Sequence, residues 1–184
     1  NANQVWVYPH PKDPSKEGVA IDKLTDAEKF LARVVAKNKK TDLALIQVTG
    51  ISKRINPIPL GINDEVQPGE NIFAIGHPMG YGWDVAPGSV RGKISNHKWN
   101  YGPPPKEGEE FEQEASVIRH SADTVGGSSG GPLFNEKGRM IGVNNMGHDE
   151  ASMNFAIAIK HAQEIIKNKE QPGIKTTSTV EPLT

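Results

Sequence analysis

The chain carries 22 acidic and 21 basic side chains among 184 residues, a net charge of −1, 35% hydrophobic content and no cysteine. That length fits one ordinary domain or two small barrels packed together, and the balanced charge gives no electrostatic reason to expect nucleic acid or an acidic membrane as partner. Without cysteine there is no disulfide framework and the redox compartment stays open; no stretch approaches a membrane span and no signal peptide is visible.

Short runs rich in Val, Ile, Phe and Ala recur between Gly, Pro and Asn punctuation, which predicts an all-β chain of many short strands. In chain order these fall near Gln4–Tyr8, Leu31–Ala36, Leu43–Val48, Asn71–Ile75, Gly88–Ile94, Ala115–Arg119, Pro132–Phe134, Met140–Asn144 and Asn154–Ile159. Pro9 to Ile21 is a polar, proline-containing loop. Thr25-Asp26-Ala27-Glu28 has the pattern of a helix capping box, in which the threonine caps and the glutamate reaches back. Phe30, Leu31, Val34 and Val35 then fit a helical stripe as well as a strand. Lys37-Asn38-Lys39-Lys40 reads as a solvated turn. Trp99 to Gln113 is a long loop with three consecutive prolines and four glutamates, and loops of that length are uncommon unless functional or disordered. Ile159 to Lys167 reads as a closing helix, and Gln171–Thr184 as a Pro/Thr/Ser-rich linker or disordered end.

The chemistry concentrates at residues 126–132, Gly-Gly-Ser-Ser-Gly-Gly-Pro. A serine held among glycines on a turn between apolar strands suits acyl transfer. Glycines admit positive φ and leave backbone N–H groups unobstructed, and two such N–H groups can hold the oxyanion of a tetrahedral intermediate. Nothing in the chain has the spacing of a zinc site, and neither metal nor cofactor is expected.

Three blocks make the sequence resemble the trypsin-like serine peptidases, in particular the HtrA/Deg group and the bacterial glutamyl endopeptidases. They are Thr41-Asp42-Leu43-Ala44-Leu45-Ile46-Gln47-Val48; Ile72 to Gly80 with Gly88 to Ile94; and Ala122 to Pro132 continuing to Val143. The resemblance implies a double β-barrel with a C-terminal helix. Residues 1–50 would be the remainder of a first barrel, 51–168 a second barrel with its closing helix, and 169–184 a flexible tail. It implies Ser129 as nucleophile, Asp42 as the residue orienting a catalytic histidine, and the N–H groups of Gly127 and Ser129 as oxyanion hole. The activity implied is endopeptidase, the partner a protein or peptide substrate, and the location periplasmic or secreted. No PDZ-like segment follows in the chain.

One part of the pattern has no counterpart. The family order of histidine, aspartate, serine puts the histidine before Asp42, where only His10 stands, in a proline-flanked loop. Gln4 to Tyr8 resembles the strand after the histidine, so the expectation is that the triad histidine lies upstream. A preceding segment or companion chain would then complete the first barrel. His77 and His120 are not assigned a catalytic role; His97 and His148 fall in loops and His161 in a helix. The alternative is a pseudoprotease that keeps the fold as a peptide-binding or scaffolding module.

For the substrate pocket the resemblance offers two readings. Asp123, six residues before Ser129, matches the floor of a pocket for Lys or Arg. In the glutamyl-endopeptidase pattern Thr124 lines the pocket instead and a histidine follows on the next strand, where this chain has Asn144. An isolated buried carboxylate is costly, so Asp123 is expected to be held by backbone N–H groups or a cation, leaving a shallow pocket for uncharged residues. Asn145, Met146 and Gly147 match the segment that pairs with the substrate backbone as an added strand.

Overall fold

The structure, a computed structural model, describes residues 4–10, 23, 29–51, 55–80, 83–148, 153–170 and 180–182. Ten strands and one α-helix carry it: β1 Gln4–Val7, β2 Phe30–Asn38, β3 Leu43–Val48, β4 Asn71–Gly76, β5 Asp84–Trp99, β6 Gln113–His120, β7 Pro132–Asn135, β8 Met140–His148, β9 Met153–Ala158, α1 Ile159–Glu170 and β10 Val180–Pro182.

Strands β4 to β9 close into an antiparallel barrel in the order β4-β5-β6-β9-β8-β7. Alternation drives it. In β4, Ile72 and Ala74 point inward while Asn71 and Phe73 do not, the period-two pattern of a strand with one face in a core. Ile72, Val90, Ile118, Leu133, Ile141 and Ala156 meet inside, and closure gives each of these strands a neighbour on both sides. The backbone of β5 passes so close to Ala122 that a Cβ on Gly88 would overlap its main chain.

β5 runs further than its apolar core suggests. Its register shifts between Val90 and Gly92 and again between Ile94 and His97, and Asn96 takes φ 54°. Two bulges let the polar run Ser95–Lys98 stay in the ladder. β8 likewise continues through Asn145 and Gly147 with a shift between Asn144 and Met146.

The first sheet is smaller and not closed. β2 is central: β3 pairs along one edge, while β1 and β10 pair with its two ends along the other. Phe30 to Val35, open to either reading from sequence, is strand, because partners flank it on both edges and Val34 and Val35 suit a pleated surface. Ile159, shared between the expected last strand and the expected closing helix, opens α1, which runs on to Glu170. That helix packs against β2 and β3 on one side and β8 and β9 on the other, linking the two sheets. Within the tail, residues 180–182 form β10. The capping box at 25–28 and most of the loop 9–21 lie outside the described residues.

Candidate active site

Asp42 stands at the mouth of β3. The side-chain oxygen of Asn38 accepts the N–H groups of Lys40 (3.0 Å) and Thr41 (3.2 Å), an Asx-type turn. It delivers Asp42 in the left-handed region at φ 56°, which aspartate tolerates better than most residues. The Glu114 N–H donates to the Lys40 carbonyl at 2.8 Å, and the Lys40 ammonium lies 3.6 Å from the Glu114 carboxylate. Next along, Leu43 packs on the cluster of Trp99, Val117, Phe155 and Ile157. The aspartate of the first sheet is thereby fastened to the second barrel.

The turn at residues 126–132 sorts its two serines. Ser128 is buried and Ser129 exposed. Ser128 N–H donates to the Val125 carbonyl (2.9 Å) and Gly131 N–H to the Ser128 carbonyl (3.1 Å), while Gly130 N–H and Asn144 N–H bind the Asn144 and Gly131 carbonyls respectively. Ser129 Oγ donates to the main-chain carbonyl of Asn145 at 2.9 Å. Gly127 sits at φ +102°, and a Cβ there would overlap the His77 carbonyl oxygen, so only glycine fits. Met79 N–H donates to the Gly126 carbonyl at 2.7 Å. In that trans peptide the Gly127 N–H points the opposite way. Neither it nor the Ser129 N–H is taken by a main-chain hydrogen bond among the described residues.

Asn145 joins the two halves. Its main-chain carbonyl holds Ser129 Oγ, and its side-chain Nδ2 donates to Asp42 Oδ2 at 3.0 Å. Tyr101, from the 99–113 loop, donates its phenol to the same Asp42 Oδ2 and also lies 3.2 Å from Asn145 Oδ1. Partial burial, then the Asp42 carboxylate, push the Tyr101 phenol above its ordinary pKa. Sequence reasoning missed Tyr101: a single tyrosine in a proline-rich loop carries no sign that it reaches a residue 59 positions away.

The rings of His77, His97, His120 and His161 make their contacts elsewhere. His77 packs against Trp83 (4.4 Å between ring centroids), and His97 stacks between Trp99 and Phe155. His161 Nε2 accepts the Ser116 N–H at 3.0 Å, and burial lowers its pKa. His120 is fully buried. Desolvation lowers its pKa to about 4, against the opposing pull of the Asn144 side chain and the Ala122 carbonyl, neither of which reaches good hydrogen-bond geometry. The hydrogen bonds of Ser129 and Asp42 go to Asn145 and Tyr101, none to a histidine among the described residues.

A cavity of about 90 Å³ opens beside Ser129, lined by Thr124, Val125, Gly126, Ser128, Ser129, Asn144, Asn145 and Met146. Thr124, Asn144 and Asn145 are thus brought together. Asp123 is exposed and does not line this cavity, and Gly147 lies one step beyond it on β8. Asn144 is buried, with Nδ2 donating to the Pro132 carbonyl at 3.4 Å and Oδ1 without a partner.

Residues 6–143 match the family model described as Trypsin-like peptidase domain. The chain is 33% identical over 157 residues to the putative serine protease HhoB of Synechocystis sp., covering 83% of this chain and 35% of that protein. It is 33% identical over 147 residues to the periplasmic serine endoprotease DegP of Salmonella typhimurium, covering 79% and 28%. Among solved structures, the HtrA-type protease AlgW with decapeptide superposes with a TM-score of 0.64 at 26% identity, covering 82% of this chain and 43% of that one. The active form of the Rv3671c protease from M. tuberculosis, at 21% identity and TM-score 0.66, covers 88% and 64% and shares the fold. The chain spans about a third or less of the length of these curated relatives. No helix among the described residues is long and apolar enough to cross a membrane.

Proposed function

The chain belongs to the trypsin-like peptidase family, with HtrA/DegP serine proteases as its homologues, and on that premise we propose that it is a serine endopeptidase. One observation carries the reading: Ser129 and Asp42, 87 positions apart in sequence, are held by the same residue, Asn145. Ser129 attacks the peptide carbonyl, and the Gly127 and Ser129 N–H groups receive the oxyanion as charge develops on it. A histidine takes the serine proton, and Asp42 fixes its tautomer and orientation. That histidine, and strands completing the first sheet, come from a segment or companion chain outside the 184 residues.

The substrate is an extended peptide. β7 pairs with β8 only from Met140 to Val143, which leaves that edge at Asn145 to Gly147 free to take a substrate strand. Thr124 and Asn144 shape the cavity for the side chain before the scissile bond, and the exposed Asp123 contributes no buried charge to it. Short, uncharged side chains are the expected choice. The DegP relatives are described as periplasmic, and we assign this protein to the periplasm or to secretion by the same likeness.

Among the described residues Ser129 and Asp42 bond Asn145 and Tyr101 and no histidine, and the second reading is a pseudoprotease that binds peptides without cleaving them. Fluorophosphonate labelling of the intact protein, with peptide mapping, separates the two. Labelling at Ser129, with turnover lowered by about four orders of magnitude or more in Ser129→Ala, supports the peptidase. An unlabelled serine in folded protein with its N-terminus sequenced leaves the binding module.

A further inference from the structure

Tyr101 belongs to neither half of the inherited machinery, yet its phenol rests on Asp42. Two donors, the Tyr101 hydroxyl and the Asn145 amide, converge on Oδ2, and Asp42 is exposed with no partner on Oδ1 among the described residues. Below the loop, Trp99 is buried at the end of β5, so the main chain that carries Tyr101 leaves a fixed point only two residues away. A carboxylate on an exposed turn turns freely about its side-chain bonds. Two hydrogen bonds to one oxygen fix it, and a charge-assisted bond is stronger than a neutral one.

We propose that Tyr101 is a positioning residue for the catalytic aspartate: with Asn145 it holds Asp42 Oδ2, so that Oδ1 faces outward to receive the imidazole N–H. The role rests on the peptidase reading above. It acts through Asp42, not on substrate, and so belongs to the chemical step. Removal lowers kcat and leaves KM where it was. The contact also ties the 99–113 loop to the active site through one hydroxyl.

The test has two arms on the intact protein. Tyrosinate absorbance is followed through alkaline titration in wild type, Tyr101→Phe and Asp42→Asn. The expected result is one phenol ionising above the ordinary value of about 10, absent in Tyr101→Phe and shifted down in Asp42→Asn. Asp42 is the one charge acting on that phenol among the described residues. The second arm measures Ser129 labelling and peptide hydrolysis. Tyr101→Phe is expected to lower kcat about tenfold, the scale of one hydrogen bond to a charged group, with KM unchanged.

A phenol that titrates identically with and without Asp42 overturns the contact. Coupled titration with unchanged kcat overturns the role, and a higher kcat in Tyr101→Phe would make the contact a block instead. Absence of labelling in wild type removes the peptidase reading and this role with it, and is recognised independently of the titration.

Discussion

The two sheets of this molecule hold the same kind of strand in opposite circumstances. In the closed barrel Ile72, Ile118, Leu133, Ile141 and Ile157 are all fully buried, and every strand has two neighbours. In the first sheet Trp6, Leu31 and Ile46 are 54%, 41% and 40% exposed, and among the described residues β3 has a partner on one edge only. The parts of the proposed site divide along that line. Ser129 and Gly127 sit on the turn before β7 of the closed barrel, where packing leaves no room for a Cβ at Gly127. Asp42 sits on the open sheet and reaches the site through the Asx turn, Leu43, and the hydrogen bonds of Asn145 and Tyr101. On the proposed mechanism the oxyanion donors are built into the barrel and the aspartate is docked onto it.

Stability measurements test that contrast most severely. Ile118→Ala leaves a cavity in a core with no route to collapse and should cost about 2–5 kcal/mol. Leu31→Ala removes a side chain already 41% in water and should cost under about 1 kcal/mol. Urea midpoints of the two variants decide it. Equal losses would show that the first sheet is as well covered as the barrel.

Activity should respond as sharply at Gly127. An alanine there must move the His77 carbonyl or the turn itself, since φ +102° and the space are both wrong for a side chain. Losing one oxyanion donor costs about 10²–10³ in kcat. The measurement is kcat for Gly127→Ala with folding checked by its melting temperature; activity within a factor of a few would mean that this N–H does not serve the oxyanion.

The barrel was the more legible region. Alternation in β4 and the glycine-serine run point directly to strand and turn, and the order of blocks singles out Asp42 and Ser129 as the residues of the proposed site. Less could be read where pairing decides. Phe30–Val35 fits either period until β1 and β3 are known to flank it, and Ser95–Lys98 looks like a turn because bulges leave no mark in composition. Tyr101 and the side-chain bond of Asn145 depend on how a loop folds back, which local sequence does not encode. The burial of His120 was equally hidden, since a strand-end histidine looks the same facing in or out.

His120 gives the barrel an acid weakness. Its ordinary pKa is 6.5 and its value in the fold about 4, so the folded state resists a proton that the unfolded chain accepts. The sign follows: the contribution is complete above pH about 6.5 and is lost progressively as pH falls toward about 4, totalling about 3 kcal/mol. His161, also lowered by burial, pulls the same way, because protonation at Nε2 would end its acceptance from Ser116. Melting curves between neutral pH and pH about 4 should show the loss, with a flatter slope in His120→Gln. An unchanged slope would place the acid sensitivity elsewhere.

The smallest expected effect concerns how the open sheet is fastened. Lys40 and Glu114 meet twice, once as side-chain charges 3.6 Å apart and once through the Glu114 N–H on the Lys40 carbonyl at 2.8 Å. The charges are 40% and 27% exposed, and such pairs are worth about 0–1 kcal/mol and weaken with salt. The main-chain bond survives any substitution except proline. Glu114→Gln should therefore cost under about 1 kcal/mol, less at high salt, and leave kcat/KM within about twofold, because Asp42 is still delivered by the main chain and Leu43. A tenfold loss of kcat/KM that high salt reproduces in wild type would show that the ion pair, and not the backbone, holds the aspartate against the barrel.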